Sequence, residues 1–395
     1  MHGLTEDEVL LLLRSLIPAE LSGARGQRSE PPDPGAITAD TRIDDAPIRA
    51  DSLDRLTVAS ALNRFFSLHE TGVEDRLLAL RGIGDMAELI RDASASASGL
   101  VFTTSGSTGD PQPHHHGWAA IRQEAEALAE AFSGYRRVIA WLPLHHLYGF
   151  MNGIALARQL DAELIDAPAA PSTLFRDLRP GDLIVTVPAR WRYLRDSGMR
   201  FPEGTGGVSS TAPLDSDIVQ GLLDAGLGAL TEVYGATETG GIGLRTAPES
   251  GYRLLPYWEP ADEGHLRRVL PDGERRTVTP LDHLEWLDAR TFRPAGRIDD
   301  LIQVGGVNVS PGHVAERLRQ HPRVADSAVR PHGEGSSQRL KAFIVPADPE
   351  VDHDALRQEI EAWAWENLPA VERPTRITLG DALPRNEMGK LQDWD

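Results

Sequence analysis

Leu100-Val101-Phe102-Thr103 leads directly into Thr104-Ser105-Gly106-Ser107-Thr108-Gly109-Asp110-Pro111. The first part reads as a short buried strand, and the second as a loop rich in glycine and hydroxyl side chains. Backbone N–H groups and hydroxyls in such a loop can wrap a polyphosphate without any formal positive charge. It is not a Walker A loop, because no Gly-Lys-Ser/Thr follows. Ser/Gly-rich text alone reads first as a flexible loop, so the motifs farther along decide its meaning.

The neighbouring segments alternate. Val138-Ile139-Ala140-Trp141-Leu142 and Leu183-Ile184-Val185-Thr186-Val187 are further strand runs separated by helix-length stretches, the pattern of an α/β sheet covered on both faces. Upstream, Thr5-Glu6-Asp7-Glu8 reads as a capping box opening a helix. A Gly/Pro/Ser/Arg stretch from Gly23 to Gly35 breaks the chain, and a helix from Asp51 carries Leu53, Leu56, Leu62, Phe65 and Phe66 on its apolar period. Leu77 to Ile90 adds helix before the small-residue linker Ala93 to Ser98. Residues 1–98 are therefore expected to form a helical segment that completes a large domain over residues 99–296. From Gly296 the pattern changes: Ser327-Ala328-Val329 and Ala342-Phe343-Ile344-Val345 read as strands, and Asp354 to Leu368 as a helix with Leu356, Ile360, Trp363 and Ala364 inward. A small α+β domain over residues 297–395 is expected.

Composition narrows the chemistry. With 41% apolar and 25% charged residues the chain is globular, neither disordered nor fibrous. A formal charge of −19 disfavours nucleic acid as a partner, so any phosphate ligand must be held by local dipoles. The absence of cysteine excludes disulfides, thiolate metal sites and a Cys nucleophile. The N-terminus lacks a signal-peptide n-region and no long apolar run occurs; no membrane partner is expected, and the expected compartment is cytoplasmic. The 40 basic residues include only two lysines, Lys341 and Lys390. Arginine cannot replace lysine where a compact point charge must reach a small anion.

Three further motifs follow the hydroxyl-rich loop. Val233-Tyr234-Gly235-Ala236-Thr237-Glu238 gathers an aromatic face, a glycine turn, a hydroxyl and a carboxylate, groups suited to base stacking, phosphate contact and Mg²⁺ ligation. Gly296-Arg297-Ile298-Asp299-Asp300-Leu301-Ile302-Gln303-Val304-Gly305-Gly306-Val307-Asn308-Val309-Ser310-Pro311 comes next. Leu383-Pro384-Arg385-Asn386-Glu387-Met388-Gly389-Lys390 then places a lysine beside a glycine near the C-terminus.

In this order the motifs resemble the adenylate-forming superfamily of acyl- and aryl-CoA synthetases, from about Leu100 to Lys390. The resemblance implies a large α/β N-terminal domain, a hinge, and a small mobile α+β C-terminal domain that rotates between adenylating and transferring poses. It implies that Thr104, Ser105, Gly106, Ser107, Thr108 and Gly109 bind ATP phosphates and that Ala212 and Pro213 join the nucleotide contacts. Tyr234, beside Gly235, would stack on adenine, while Thr237 and Glu238 would hold phosphate and Mg²⁺. Asp282 lies fifteen residues before Arg297, the spacing by which the family's ribose-binding aspartate precedes its arginine. A carboxylate suits ribose because it accepts two hydrogen bonds. Arg297 would touch ribose or phosphate, Asp299 would be the hinge, and Lys390 would bridge the substrate carboxylate and the α-phosphate as negative charge builds. Trp141-Leu142-Pro143-Leu144-His145-His146-Leu147-Tyr148-Gly149 matches the family's Pro-x-x-His-x-x-Gly. That match puts His146 at the mouth of the acyl pocket, lined further by His145, Tyr148, Gly149, Ser209, Ser210, Gly240 and Gly241. The histidine pair reads equally as a packed or capping pair. His114, His115 and His116 read as a solvated loop, since consecutive loop residues rarely converge on one metal ion.

The lead segment is far shorter than in ordinary synthetases, and with Asp51-Ser52-Leu53-Asp54-Arg55-Leu56 it is similar to the compact 4-coumarate–CoA ligase type associated with photoactive yellow protein. Asp51-Ser52-Leu53 also resembles a phosphopantetheine site, against the plainer reading of an N-capped helix. The chain departs from the family at Gln112, where the phosphate loop usually has lysine, at Gln303, and at His313, where a glutamate is usual. The implied function is ATP- and Mg²⁺-dependent adenylation of a cinnamate- or coumarate-like aryl acid, release of pyrophosphate, and acyl transfer to CoA. Rival readings replace CoA with an acyl carrier protein, replace the acid with nitrite (a diazotase acting with an aryl amine such as aminocoumarate), or reduce the chain to a binding module. The pocket segments Trp141 to Gly149, Val208 to Pro213 and Tyr234 to Gly241 hold no lysine or arginine. A fatty chain would leave Tyr148 and the pocket hydroxyls unpaired at about 1–3 kcal/mol each, so an aromatic acid is expected.

Overall fold

The Glu6–Arg25 helix opens with the expected capping box: Thr5 N donates to Glu8 Oε2 at 2.7 Å and Glu8 N to Thr5 Oγ1 at 3.3 Å. The Ser52–Phe65 helix is capped by Asp51, whose side chain accepts from Leu53 and Asp54 N. Its inward face is Asp54, Val58, Ala61, Leu62 and Phe65. Leu53 and Leu56, expected on the apolar period, are 72% and 52% exposed. The ion pair of Asp54 with Arg25 at 2.6 Å turns the first helical turn so that its carboxylate, not its leucines, faces inward. The stretch expected as one helix from Leu77 to Ile90 is two, Glu74–Ala79 and Ile83–Ser94, broken at Gly82.

The computed structural model describes residues 3–25, 31–103, 112–167, 177–297, 302–304, 307–333 and 339–394. They fall into two units, Met1–Val278 with Ala289–Thr291 and Glu387–Gly389, and Thr279–Asp288 with Phe292–Asn386 and Lys390–Asp395. No helix among the described residues is long and apolar enough to cross a membrane.

In the first unit, strands lie side by side in the order Glu163–Asp166, Arg137–Ala140, Asp182–Thr186, Gly206–Ser209, Ala229–Ala236, Gly240–Thr246 and Tyr252–Leu254. The first five are mutually parallel, and the last two pairings are antiparallel. Arg137–Ala140, Asp182–Thr186 and Gly206–Ser209 are buried throughout, as parallel strands covered on both faces must be. Successive side chains point to opposite faces. Val138, Ala140, Leu183 and Val185 join the core formed with the N-terminal helices and the Trp118–Ala131 helix. Ile139, Trp141 and Ile184 join the core formed with the Pro188–Asp196 and Ser216–Asp224 helices. The N-terminal segment thus covers one face of the sheet.

The opening strand run corrects the simple alternation. Gly99–Thr103 pairs antiparallel with Pro113–Gly117, matching Phe102 to His114, Val101 to His115 and Leu100 to His116, and the pair forms a sheet of its own. The three histidines therefore belong to a strand, not to a solvated loop.

The second unit holds a three-stranded sheet. Arg339–Pro346 pairs antiparallel with Val324–His332 and parallel with Pro374–Leu379. The Pro311–Arg319 and His353–Asn367 helices complete its core through Val314, Leu318, Leu356, Ile360 and Ala364, with Trp363 packed alongside as expected. Asp282–Trp286 and Thr291–Arg297 form a hairpin in which Asp282 and Arg297 are cross-strand partners.

Candidate functional site

The hairpin of Ala229–Ala236 and Gly240–Thr246 presents the Tyr234-to-Gly241 segment at its turn. Register shifts between Tyr234 and Gly235, the local kink of a bulge. Thr239 closes the turn, accepting from Ala236 N at 3.2 Å and donating to Gly240 O at 2.9 Å. Gly240 has φ +75°, and a Cβ there would meet the Glu124 carboxylate, so this position needs glycine. The Tyr234 ring remains half exposed, 5.5 Å from Tyr252.

The histidine strand braces this turn. His116 Nε2 lies 2.7 Å from Thr237 O, and a neutral ring must donate there. Burial lowers its pKa to about 4, against the upward pull of that hydrogen bond and with further lowering from Arg268 and the adjacent histidines. His114 Nε2 is 4.0 Å from Glu238 Oε1. His115 lies on the opposite face and is exposed.

Beneath the turn is a buried cluster that the sequence reading missed. Glu124 Oε1 accepts from Gly241 N at 3.0 Å, and its other oxygen is 3.9 Å from the Arg268 guanidinium. Arg268 donates to Thr239 O at 3.3 Å and Ala120 O at 2.8 Å, and its guanidinium lies 4.5 Å from the Tyr257 ring centroid. Tyr257 Oη and Trp258 Nε1 both donate to Gly241 O, at 3.1 and 2.7 Å. Burial pushes the Glu124 carboxyl up, opposed by Arg268 and the Gly241 N–H.

Two loops follow the Gly206–Ser209 and Arg137–Ala140 strands, which flank Asp182–Thr186 on either side. In the first, Ser210 Oγ donates to Val233 O at 2.7 Å and Thr211, at φ +81°, donates to Met388 O at 3.0 Å. That φ is left-handed, a costly setting for a β-branched residue and one that clusters at functional sites. Ser209 is fully buried, and its Oγ has no hydrogen-bond partner among the described residues. Ala212, half-buried, and Pro213, exposed, follow. In the second loop, Leu144 N donates to Ser15 Oγ at 2.9 Å and His145 Nδ1 lies 2.8 Å from the same hydroxyl. His145 is therefore tied to the N-terminal helix, with burial and then His146 holding its pKa well below the usual value; this favours packing over substrate contact. His146 stands just before the Leu147–Gly149 turn, its ring 4.4 Å from that of His145. A Cβ at Gly149 would overlap the Pro143 carbonyl.

Tyr148 corrects part of the pocket argument. Its hydroxyl donates to Thr186 O at 3.0 Å and burial pushes its pKa well up. With Ser210 also satisfied, Ser209 is the hydroxyl that still calls for a partner. Arg190, outside the expected pocket segments, donates to Trp141 O and lies 4.8 Å from the Trp141 ring.

Asp282 and Lys390 belong to the second unit, each described there. Lys390 N donates to Asn386 Oδ1 at 2.9 Å and its carbonyl accepts from Asn386 N at 2.8 Å. The Thr104-to-Gly109 loop and Asp299 lie outside the described residues, as does the Arg297 side chain. Among the described residues no cluster of three His, Asp or Glu side chains could by itself hold a metal. Glu238, with its side chain 35% exposed, fits the family's Mg²⁺, an ion that takes one or two carboxylates plus substrate phosphates.

Comparisons with known proteins place the chain in a family. The family model for AMP-binding enzymes matches residues 45–272, and that for the AMP-binding enzyme C-terminal domain matches residues 313–390. A 4-coumarate–CoA ligase of Halorhodospira halophila is 65% identical over 99% of this chain and 100% of its own length. Another of Rhodobacter capsulatus is 41% identical over 97% and 99%. The crystal structure of an anthranilate CoA ligase in complex with anthranoyl-AMP superposes with a TM-score of 0.56 at 19% identity, covering 80% of this chain and 70% of that one.

Proposed function

The chain belongs to the AMP-binding, adenylate-forming enzyme family, and from that premise we propose 4-coumarate, or a cinnamate differing little from it, as its acid. It is an AMP-forming ligase that uses ATP, Mg²⁺ and CoA. The observation that carries the reading is the 65% identity to a 4-coumarate–CoA ligase along the whole length of both chains. The nitrite and carrier-protein alternatives draw no support from these relatives. We keep the cytoplasm as its compartment and Asp299 as its hinge.

In the reaction the acid's carboxylate oxygen attacks the α-phosphorus, the bond to pyrophosphate breaks, and an acyl adenylate forms. The CoA sulfur then attacks the acyl carbon, AMP leaves with the bonding electrons, and the thiol proton is released. Mg²⁺, when bound with ATP, neutralises phosphate charge. In this reading Tyr234 stacks on adenine, the Thr104-to-Gly109 loop and Thr237 take the phosphates, and Glu238 takes the ion. His146 stands at the mouth of the acyl pocket. Ser209, buried beside the same loops with an unspent hydroxyl, is the group suited to a phenolic tip. Holding reactants in line supplies most of the rate in such displacements.

The acid is tested by ATP–pyrophosphate exchange with 4-coumarate, 3-amino-4-hydroxycinnamate, benzoate and octanoate, with nitrite in parallel. The expected order puts 4-coumarate first; octanoate in first place would end the aryl assignment, and exchange dependent on nitrite would make the enzyme a diazotase. Ribose contacts bind ground and transition states alike. Asp282→Ala should accordingly raise the KM for ATP about tenfold or more while changing the KM for the acid much less. Unchanged nucleotide affinity would show that the cross-strand pairing of Asp282 with Arg297 serves the hairpin alone.

A further inference from the structure

The family resemblance makes Lys390 the cation of the adenylation step; the chain's other lysine, Lys341, is given no such role. Lys341 and Arg330 are direct cross-strand partners in the ladder of Val324–His332 and Arg339–Pro346. Like charges placed opposite each other destabilise a sheet. Here, moreover, both are withdrawn from water: Lys341 is 7% exposed, and burial lowers the Arg330 pKa. Two neighbouring buried cations persist when a third group neutralises them.

The C-terminal tail is that group. Arg330 Nη2 donates to Leu391 O at 2.7 Å. Lys341 Nζ lies 2.9 Å from Asp393 Oδ1 and donates to Trp394 O, while the Arg330 guanidinium is 3.9 Å from the same carboxylate. The Trp394 ring closes over the pair, 5.2 Å from Nζ and 5.8 Å from the guanidinium, and meets Phe343 in a T-shaped contact. Burial works to raise the Asp393 pKa, but the Lys341 hydrogen bond and the two cations leave it below the usual carboxylate value.

The tail held in this way begins one residue after Lys390. Arg385 and Leu391 form a bridge, and Gln392 N donates to Pro384 O at 2.7 Å. With the reciprocal Asn386–Lys390 bonds, these contacts close a loop that ends at Lys390 and whose returning arm is the clamped tail.

We propose that Lys341, with Arg330 beside it, is a positioning residue for Lys390: the buried cation pair grips Leu391 to Trp394 and so fixes where the preceding residue stands. A lysine is retained here because a compact ammonium fits between a guanidinium, a carboxylate and a carbonyl, where a second planar fork would not. The inference rests on the reading of Lys390 as the adenylation cation.

Lys341→Met keeps the length of the side chain and removes its charge. It should lower the kcat of ATP–pyrophosphate exchange by about 10-fold to 10²-fold, the effect of a misplaced reacting group, with the KM values for ATP and acid unchanged. Thioester formation from supplied acyl adenylate and CoA, which does not call on Lys390, should keep its rate. Asp393→Asn, which removes the charge and keeps the shape of a side chain 67% exposed, should shift exchange in the same direction by less. Full exchange in both variants, or equal loss in both half-reactions, would overturn the proposal. Lys390→Ala runs beside them as reference: intact exchange there would mean that the reading of Lys390 has failed, whereas loss there with full exchange in the other two would mean that the clamp alone has failed.

Discussion

Lys390→Ala should lower ATP–pyrophosphate exchange by roughly 10²-fold or more, as expected when one preorganised charge is removed from a developing anion. In the ground state the acid's carboxylate and the α-phosphate carry their own charge, each solvated or held by other groups. During attack the charge concentrates on the oxygens between them. A cation placed there is worth more in the transition state than before it, so the loss falls on kcat and leaves the KM for ATP nearly unchanged. The sequence offers little that could substitute. Its charge is −19, its other lysine is buried against Asp393 and Trp394, and the phosphate loop carries Gln112 where the family has a lysine. Lys390→Arg should not restore the rate, because a guanidinium presents a broad fork and not a point charge. Single-turnover adenylation with 4-coumarate checks both variants, and wild-type rates in the alanine variant would reduce Lys390 to a residue that merely closes the loop with Asn386.

The parts of the fold that were legible in the sequence are those whose environment writes itself into a local pattern. Val138 to Leu142 and Leu183 to Val187 are apolar on both faces because they lie in the middle of a parallel sheet, and they read as such. Leu100 to Thr103 is equally apolar, yet an apolar run does not encode its partner, which is the histidine strand just beyond the loop. Those histidines were misread for a related reason. Alternation is visible only when inward and outward residues differ in type, and three identical polar residues hide it although His115 is exposed and His116 buried. The fifteen-residue interval between Asp282 and Arg297 was read as a family spacing; physically it is the length of a hairpin that sets the two residues opposite each other. Glu124 and Arg268 left no local signal at all. One lies in a helix of ordinary amphipathic text and the other in a short strand, and only the folded chain joins them under Gly241.

That pair carries the second large effect. Arg268→Met should destabilise the protein by about 3–5 kcal/mol, the cost of leaving one charge of a buried pair without its partner. Methionine keeps much of the packing against Tyr257 and Trp258, so what is lost is the cation near Glu124 and the donors to Thr239 O and Ala120 O. The sign of the pH dependence follows from Glu124. Burial already raises its folded pKa above the ordinary glutamate value, and loss of Arg268 raises it further. A carboxyl whose folded pKa is raised contributes stability while protonated and loses it as pH rises through the folded pKa. The deficit of the variant should therefore be smallest at the acid end and widen toward neutral pH, as followed by denaturant midpoints at several pH values. Adding Glu124→Gln should recover part of the loss near neutrality, because the amide can still accept from Gly241 N without a charge to bury. Residual exchange activity should recover with it, since Glu124 and Arg268 hold the backbone of the turn that carries Thr237 and Glu238. A deficit independent of pH and untouched by Glu124→Gln would mean that the carboxylate is neutral already and that Arg268 acts only through its carbonyl contacts.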